Sequence, residues 1–342
     1  DTGTTSIYSS FKYSQNKLEL IKNLELLIID EISMVRCDVI SAVDRLLKVF
    51  RKNSNPFGGV QVVIIGDPFQ LPPVVRPEEQ SILQVEYKSR FFFATSAFIG
   101  GNFMCHELIK IRRQHNSEFI KLLNRVREGV LLNEDVKSLQ RRCFLPENEE
   151  GYINIAPLRS LVDNKNILEL DKIIEIEHSF TASVEGDFTH NKYPAEYNLK
   201  LKVGAQVMFL RNQQNLSVQN GTIGEIVSIE NDIIAIKITN REGSRIVTAE
   251  KAAWDNIQYS YDKKSKSVIS NTIGTFVQFP LKLAWSITVH KSQGMTFDKV
   301  IADLEKSFAY GQVYVGLSRC VDISTLHLSS KINRYKLEPH PR

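Results

Sequence analysis

The sequence predicts an α/β protein of two domains, with a small β module inserted in the second. Three observations carry this expectation. A strand, a helix and a second strand follow one another within residues 24–66, which is a βαβ unit. Strand and helix signals then alternate again through residues 153–171 and 283–329. Between about 199 and 280 the texture changes to short β-rich runs broken by turn residues.

Taken in order, LELLIID (24–30) is rich in Leu and Ile and reads as a buried parallel strand. Residues 36–52 carry apolar side chains at helical spacing, PFGG (56–59) breaks the pattern, and 60–66 form a second buried strand. FFFATSAFI (91–99) reads as a core segment. Residues 117–128 form an amphipathic helix with Phe119, Ile120, Leu123 and Val126 on one side, and a second helix covers 133–142. INIAPL (153–158) is strand-like and 160–171 helical. LKVGAQVMFL, GTIGEIVSIE, DIIAIKIT and RIVTAE are strands of the β module, punctuated at Asn220-Gly221 and Glu242-Gly243. YDKKSKS (261–267) is a basic exposed tip. The closing α/β part is expected as a helix over 284–293, a strand at 299–304, a helix at 307–319 and a strand at 325–329.

Composition narrows the classes. With 342 residues, 42% hydrophobic and 24% charged, the chain can bury real cores, which excludes general disorder. No apolar run approaches the roughly 20 residues of a membrane helix, and no signal-peptide pattern opens the sequence, so no membrane and no secretion are expected. The four cysteines, Cys37, Cys105, Cys143 and Cys320, form no CxxC pair, which argues against a disulfide framework or a zinc site. A net charge of +4 permits a polyanionic partner without requiring one.

Five segments carry chemistry. In LLIIDEIS (26–33) a strand ends in Asp30 and Glu31. One carboxylate can hold Mg²⁺ and its neighbour can orient or deprotonate a water, although a strand ending in solvated acids has the same pattern. In VVIIGDPFQLPPV (62–74) a second strand ends in Gly66-Asp67, and Gln70 follows on a proline-stiffened loop. Its amide can touch a phosphate and a water at once, or be an ordinary surface Gln. IRRQ (111–114) sets two arginines ahead of a helix, suited to phosphoryl oxygens or to a solvated helix start. In TVHKSQGMTF (288–297) polar residues run up to Gly294, where backbone can approach a ligand. In QVYVGLSRC (312–320) Arg319 ends a helix, either as a cation complementing the dipole or as an arginine finger.

Together and in this order, the five segments resemble the superfamily-one DNA helicases of the Pif/RecD type, over essentially the whole chain. LLIIDEISMV resembles the family's Walker-B segment, and VVIIGDPFQLPPV its glutamine-bearing segment. TVHKSQGMTF and YVGLSR resemble two late motifs, and LKVGAQVMFLRN (201–212) with NGTIG (220–224) also matches. The resemblance implies two RecA-like P-loop-NTPase domains, the first truncated at its amino end, with ATP bound between them and an SH3-like β-barrel inserted in the second. The implied domains are 1–100 for the first, 101–220 with 280–342 for the second, and 221–279 for the insert.

By the same resemblance, Asp30 holds Mg²⁺, Glu31 activates water and Gln70 senses the terminal phosphate. Arg113, rather than Arg112, and Arg319 are the arginine fingers. Asp67 and Gly294 line the nucleotide, while Thr288, His290, Lys291, Ser292 and Gln293 contact the strand. The implied cofactors are ATP and Mg²⁺. The implied activity is 5′-to-3′ translocation on single-stranded DNA by a monomer, with fork or quadruplex DNA as further partners, in a bacterial nucleoid or a nucleus.

The sequence departs from that pattern in places. No GxxxxGK[ST] loop occurs in the 342 residues. DTGTTS (1–6) resembles the segment following such a loop, with Tyr8 where the family has His. Leu158-Arg159 stands in place of a Thr-Asn pair. The expectation is that the first strand and phosphate loop lie upstream of Asp1 or are lost. Two other readings stand beside a fragment of an active helicase: a non-catalytic DNA-binding remnant, and the helicase-like portion of a conjugative relaxase. Because the phosphate loop and its Lys cradle the phosphates, these 342 residues alone are expected to show negligible ATP turnover. A DNA-stimulated ATPase assay checks this, and measurable turnover overturns it.

Overall fold

The computed structural model describes residues 15–230, 232–240, 243–262, 265 and 267–331. The readings of residues 1–6 and Tyr8, the Glu242 side of the second turn and the three lysines of the basic tip lie outside the described residues. The chain divides into two compact units: residues up to 109 together with 257–271, and residues 110–256 together with 272 onward.

The first unit contains α1 (Gln15–Lys22), β1 (Leu26–Ile29), α2 (Cys37–Arg51), β2 (Gln61–Ile64), α3 (Pro77–Tyr87) and α4 (Ser96–Gly100). β1 and β2 pair in parallel, from Leu26 opposite Gln61 to Ile29 opposite Ile64. The α2 helix stops where Lys52 turns left-handed at φ 52°, its amide donating back to Lys48 and Val49. PFGG then turns the chain closely under α2. A Cβ at Gly58 would lie 2.6 Å from the Leu47 carbonyl oxygen, so no larger residue fits. Ile32, Ile40, Leu47, Phe57, Val60, Phe92 and Ala97 form the core.

The strands were expected to be buried on both faces. Instead Leu27, Ile29, Val62 and Ile64 pack on this core while the alternate Leu26, Ile28, Val63 and Ile65 are exposed. The period of two along each strand sends successive side chains to opposite faces, and among the described residues only one face is covered.

The second unit opens with α5 (Ser117–Glu128) and α6 (Asn133–Gln140), followed by β3 (Ile153–Ala156) and α7 (Arg159–Lys172). The β-rich part comprises β4 (His178–Thr181), β5 (Ser183–Gly186), β6 (Asn198–Leu201), β7 (Gln206–Phe209), β8 (Ile223–Glu230), β9 (Ile233–Asn240), β10 (Gly243–Ala249), β11 (Ala252–Asp262), β12 (Ser267–Gln278) and β13 (Leu281–Leu283), of which residues 257–271 of β11 and β12 fall in the first unit. The chain closes with β14 (Ser286–Thr288), α8 (Val289–Ser292), β15 (Val300–Ala302), α9 (Gln312–Ser318) and β16 (Leu326–Leu328).

The α/β part is a parallel sheet of order β14-β3-β15-β16. The β-rich part forms a five-stranded antiparallel sheet, β10-β9-β8-β7-β13, with smaller sheets β11-β12-β5 and β4-β6. Val207, Phe209, Ile226, Ile236 and Phe279 lie in its core. Since β7 and β13 belong to the five-stranded sheet and β4 begins at His178, the β-rich part extends on both sides of the expected 221–279. One side chain ties it to the parallel sheet. Gln206 of β7 donates to the carbonyls of Tyr152 and Ala284 and accepts from the Gly151 amide.

Two expected helices are shorter than their apolar spacing suggested. Residues 284–293 are not one helix: Ser286–Thr288 pair with β3 as strand β14, and only one helical turn follows. Thr288 caps that turn by accepting from the Lys291 amide, and left-handed Gly294 lies just beyond it. The 307–319 helix begins only at Gln312, because Gly311 is left-handed at φ 75° and the Gln312 side chain accepts from the Phe308 and Ala309 amides, which holds the preceding residues as a loop.

The α5–α6 corner rests on a charge pair. Arg125 donates to both oxygens of Asp135, at 2.7 and 2.6 Å, and the Leu132 amide donates to the same carboxylate. The Arg125 guanidinium holds the Asp135 carboxyl below the usual carboxylate range. A depressed carboxyl contributes stability that is present above its unfolded pKa and lost as pH falls through the folded one. Asp135→Ala is therefore expected to cost about 2–4 kcal/mol in denaturant melts at neutral pH, and the difference from wild type to shrink below about pH 4.

Candidate nucleotide and strand-binding residues

In the first unit the two parallel strands end side by side. The Ile65 amide donates to the Ile29 carbonyl, and the Ile32 amide donates back to the Ile65 carbonyl at 3.0 Å. Chain direction reverses at Glu31, which adopts a left-handed φ of 51°, a conformation costing a non-glycine residue about 1 kcal/mol. The exposed Asp30 stabilises it, since its Oδ1 accepts from the Glu31 amide at 2.8 Å. Gly66 lets the second strand end pass close by, as a Cβ there would come within 2.9 Å of the Ile32 side chain.

Asp67 then shapes the loop. Its Oδ1 accepts from the Phe69 amide at 3.0 Å, and its Oδ2 lies 3.4 Å from the Gln70 amide nitrogen. Leu71, Pro72 and Pro73 are buried beneath, which anchors the loop more firmly than proline stiffness alone. Asp30, Glu31, Asp67 and Gln70 thus come together at one strand-end edge.

No group of three or more His, Cys, Asp and Glu suited to a metal occurs among the described residues. A hard divalent cation fits the exposed Asp30 carboxylate, whose Oδ1 also accepts from the Glu31 amide. The remaining ligands would come from water and phosphate, which is the usual coordination of Mg²⁺.

In the second unit three segments meet at the carboxyl end of α9. Arg113 Nε donates to Thr296 Oγ1 at 2.7 Å, and Nη1 reaches the Ser318 carbonyl at 3.4 Å. Buried Gln114 donates to the carbonyls of both Ser318 and Cys320, at 2.9 and 2.8 Å. Burial lowers the Arg113 pKa, so its charge is poorly solvated here.

Arg319 is turned inward. It is only 2% exposed, and its guanidinium donates to the Val315 carbonyl, the Met295 carbonyl and Ser318 Oγ. Its side chain is turned into the protein and ties residues 294–297 to α9.

The expected strand-contacting residues divide likewise. Lys291 is exposed, whereas Ser292 is buried and donates inward to the Val289 carbonyl. His290 is half-buried, and burial pushes its pKa down, so it is neutral at pH 7. Thr288 is occupied as the cap of α8. Gly294 is exposed and left-handed at φ 77°. Sequence reasoning singled out IRRQ for its arginines and missed the clamp made by Gln114. A buried Gln among charged neighbours carries no signal of its own until its partners are known.

The fold is that of an α/β helicase core carrying a β-rich insert, and known proteins match it. The PIF1-like helicase family matches residues 2–137, and the 2B domain of DNA helicase Pif1 matches 189–229. The ATP-dependent DNA helicase Pif1 of Campylobacter jejuni is 31% identical over 334 residues, covering 92% of this chain and 72% of the relative. That of a Psychrobacter species is 29% identical over 366 residues, covering 90% of this chain but only 54% of its own length. Bacteroides Pif1 in complex with ADP-AlF4 superposes with a TM-score of 0.88 at 35% identity, covering 98% of this chain and 80% of that one. The same protein bound to single-stranded DNA gives 0.68 at 35% identity, covering 99% and 81%. The chain belongs to the PIF1-like helicase family.

Gln114→Leu leaves two buried carbonyls without their shared donor. A loss of about 2 kcal/mol is expected in thermal or denaturant melts, and an unchanged midpoint would show that the clamp contributes nothing.

Proposed function

We propose that the chain is the motor region of an ATP-dependent DNA helicase that moves 5′-to-3′ along single-stranded DNA. In this reading it has two RecA-like domains, the second carrying an SH3-like barrel. The observation that carries it is the pairing of two parallel strand ends that sets Asp30 and Glu31 beside Asp67 and Gln70. Family membership and the nucleotide and single strand held by Bacteroides Pif1 support it.

Bound ATP and Mg²⁺ supply the reactive phosphate and the free energy for movement. Asp30 would hold the cation, which would neutralise charge on the phosphates. Glu31, held in its left-handed turn, takes the proton of the attacking water. The Gln70 amide, kept near Asp67, donates to a phosphate oxygen and accepts from that water. Arg113 is the cation for the transferring phosphoryl group, and Arg319 positions Gly294 and α9 from within. On the strand, Lys291 meets phosphates, while Thr288, His290, Ser292 and Gln293 fix the turn that presents it. Each unit alternates between firmer and looser grip as nucleotide is bound and spent, a population shift set by differential contacts. The protein works as a monomer, in a nucleoid or a nucleus, with fork or quadruplex DNA as structured partners.

In a chain that carries the GxxxxGK[ST] segment ahead of these residues, Glu31→Gln is expected to abolish ATP turnover while leaving nucleotide binding within a few-fold of wild type. Steady-state turnover and equilibrium titration check the two halves. Wild-type turnover would remove Glu31 from its role. Affinity for an oligonucleotide is expected to fall log-linearly with salt, and a flat salt titration overturns a phosphate-based grip.

A further inference from the structure

Lys282 lies at the centre of β13, the edge strand of the five-stranded sheet, opposite Met208 of β7. Four residues on, the chain enters β14 and then α8, which carries Lys291. Helix α7 is fixed against β14 by Asn166, whose side chain donates to the Ser286 carbonyl and accepts from the Ser286 amide. This brings Arg159 and Asp163, paired with each other on α7, into the same neighbourhood. Lys282, Lys291 and Glu196 are within electrostatic reach of one another.

Neither Lys282 nor Lys291 has an ion-pair partner among the described residues. Burial, and next the Lys291 charge, push the Lys282 ammonium down to about 8, with Glu196 opposing. Two ammonium groups within electrostatic reach of each other, one of them half-buried and neither in an ion pair, repel one another, and Glu196 offsets only part of that repulsion. An anion seated between them would relieve it. We infer that Lys282 and Lys291, with Arg159 at the margin, seat one phosphodiester of the bound single strand, and that Lys282 is a strand contact in addition to residues 288–293. The inference rests on the proposal that this chain binds single-stranded DNA.

Lys282→Met tests it, because the substitution keeps the apolar stem and removes the unpaired charge. The readouts are fluorescence anisotropy with a labelled oligothymidylate at several salt concentrations and at pH 7 to 9, together with a thermal melt. Lys282→Met is expected to weaken binding, to reduce the salt slope by about 0.7, and to keep or raise the melting midpoint. Because phosphate favours the charged ammonium, wild-type affinity is expected to fall as pH rises through 8, and the variant to lack that component. The charged groups that act on Lys282 are Lys291 on α8 and Glu196 before β6, and Asp163 and Arg159 on α7 act on Glu196 in turn.

Inorganic phosphate at matched ionic strength is expected not to displace the oligonucleotide, and displacement would make this a free-phosphate site and overturn the strand contact. Unchanged affinity and salt slope in Lys282→Met, with wild-type binding intact, overturn this inference alone. A lowered midpoint that accounts for the weaker binding makes Lys282 structural and overturns it as well. A wild-type chain that binds no oligonucleotide overturns the DNA reading itself.

Discussion

The register of β1 against β2 sets Ile29 level with Ile64, and the chemistry of the first unit follows from it. Two parallel strands in that register end together, so their next residues compete for one small space. The competition is resolved by two backbone choices. Glu31 turns left-handed, and Gly66 contributes no side chain where Ile32 passes. The exchange of hydrogen bonds among Ile29, Ile65 and Ile32 locks the crossing. A one-residue slip would separate Asp30 from Asp67 and send each strand's core-facing side chains to the open face.

The second unit solves a similar problem with side chains rather than strands. The last turn of α9 exposes carbonyls that no helix residue can satisfy. Gln114 and Arg113 supply donors from the segment before α5, and Arg319 folds back on its own helix and onto Met295. Segments far apart in sequence are thereby held together. The position of Arg113 depends on this convergence, because its Nε is aimed by Thr296, one residue past Met295.

Much of this was legible in the residues. The α5 helix falls on residues 117–128 as its apolar spacing requires, because Asn116 caps its start and Gly129 its end. Both strand ends and their carboxylates were readable, since a Leu/Ile/Val run closing on DE or GD has few other structures. What stayed hidden depends on partners distant in sequence. Residues 286–288 have helical neighbours yet pair with β3, and tertiary pairing overrides local spacing. Arg319 has the composition of a helix-end cation, and only its surroundings show that it points inward. Lys282 looks like any strand lysine until β13 is placed at a sheet edge, within electrostatic reach of Lys291. The outer faces of β1 and β2 were invisible for the same reason: hydrophobicity says that a residue favours cover, not whether cover is present.

The Gln206 amide has a consequence for how the second unit comes apart. Three backbone groups, at Gly151, Tyr152 and Ala284, depend on one side chain rooted in the antiparallel sheet. Peeling that sheet away would strand all three at once, so the insert cannot breathe separately from the parallel layer near this junction. Slowly exchanging amides on either side of it would open in a single cooperative event, and the two layers would behave as one foldon despite their different architectures.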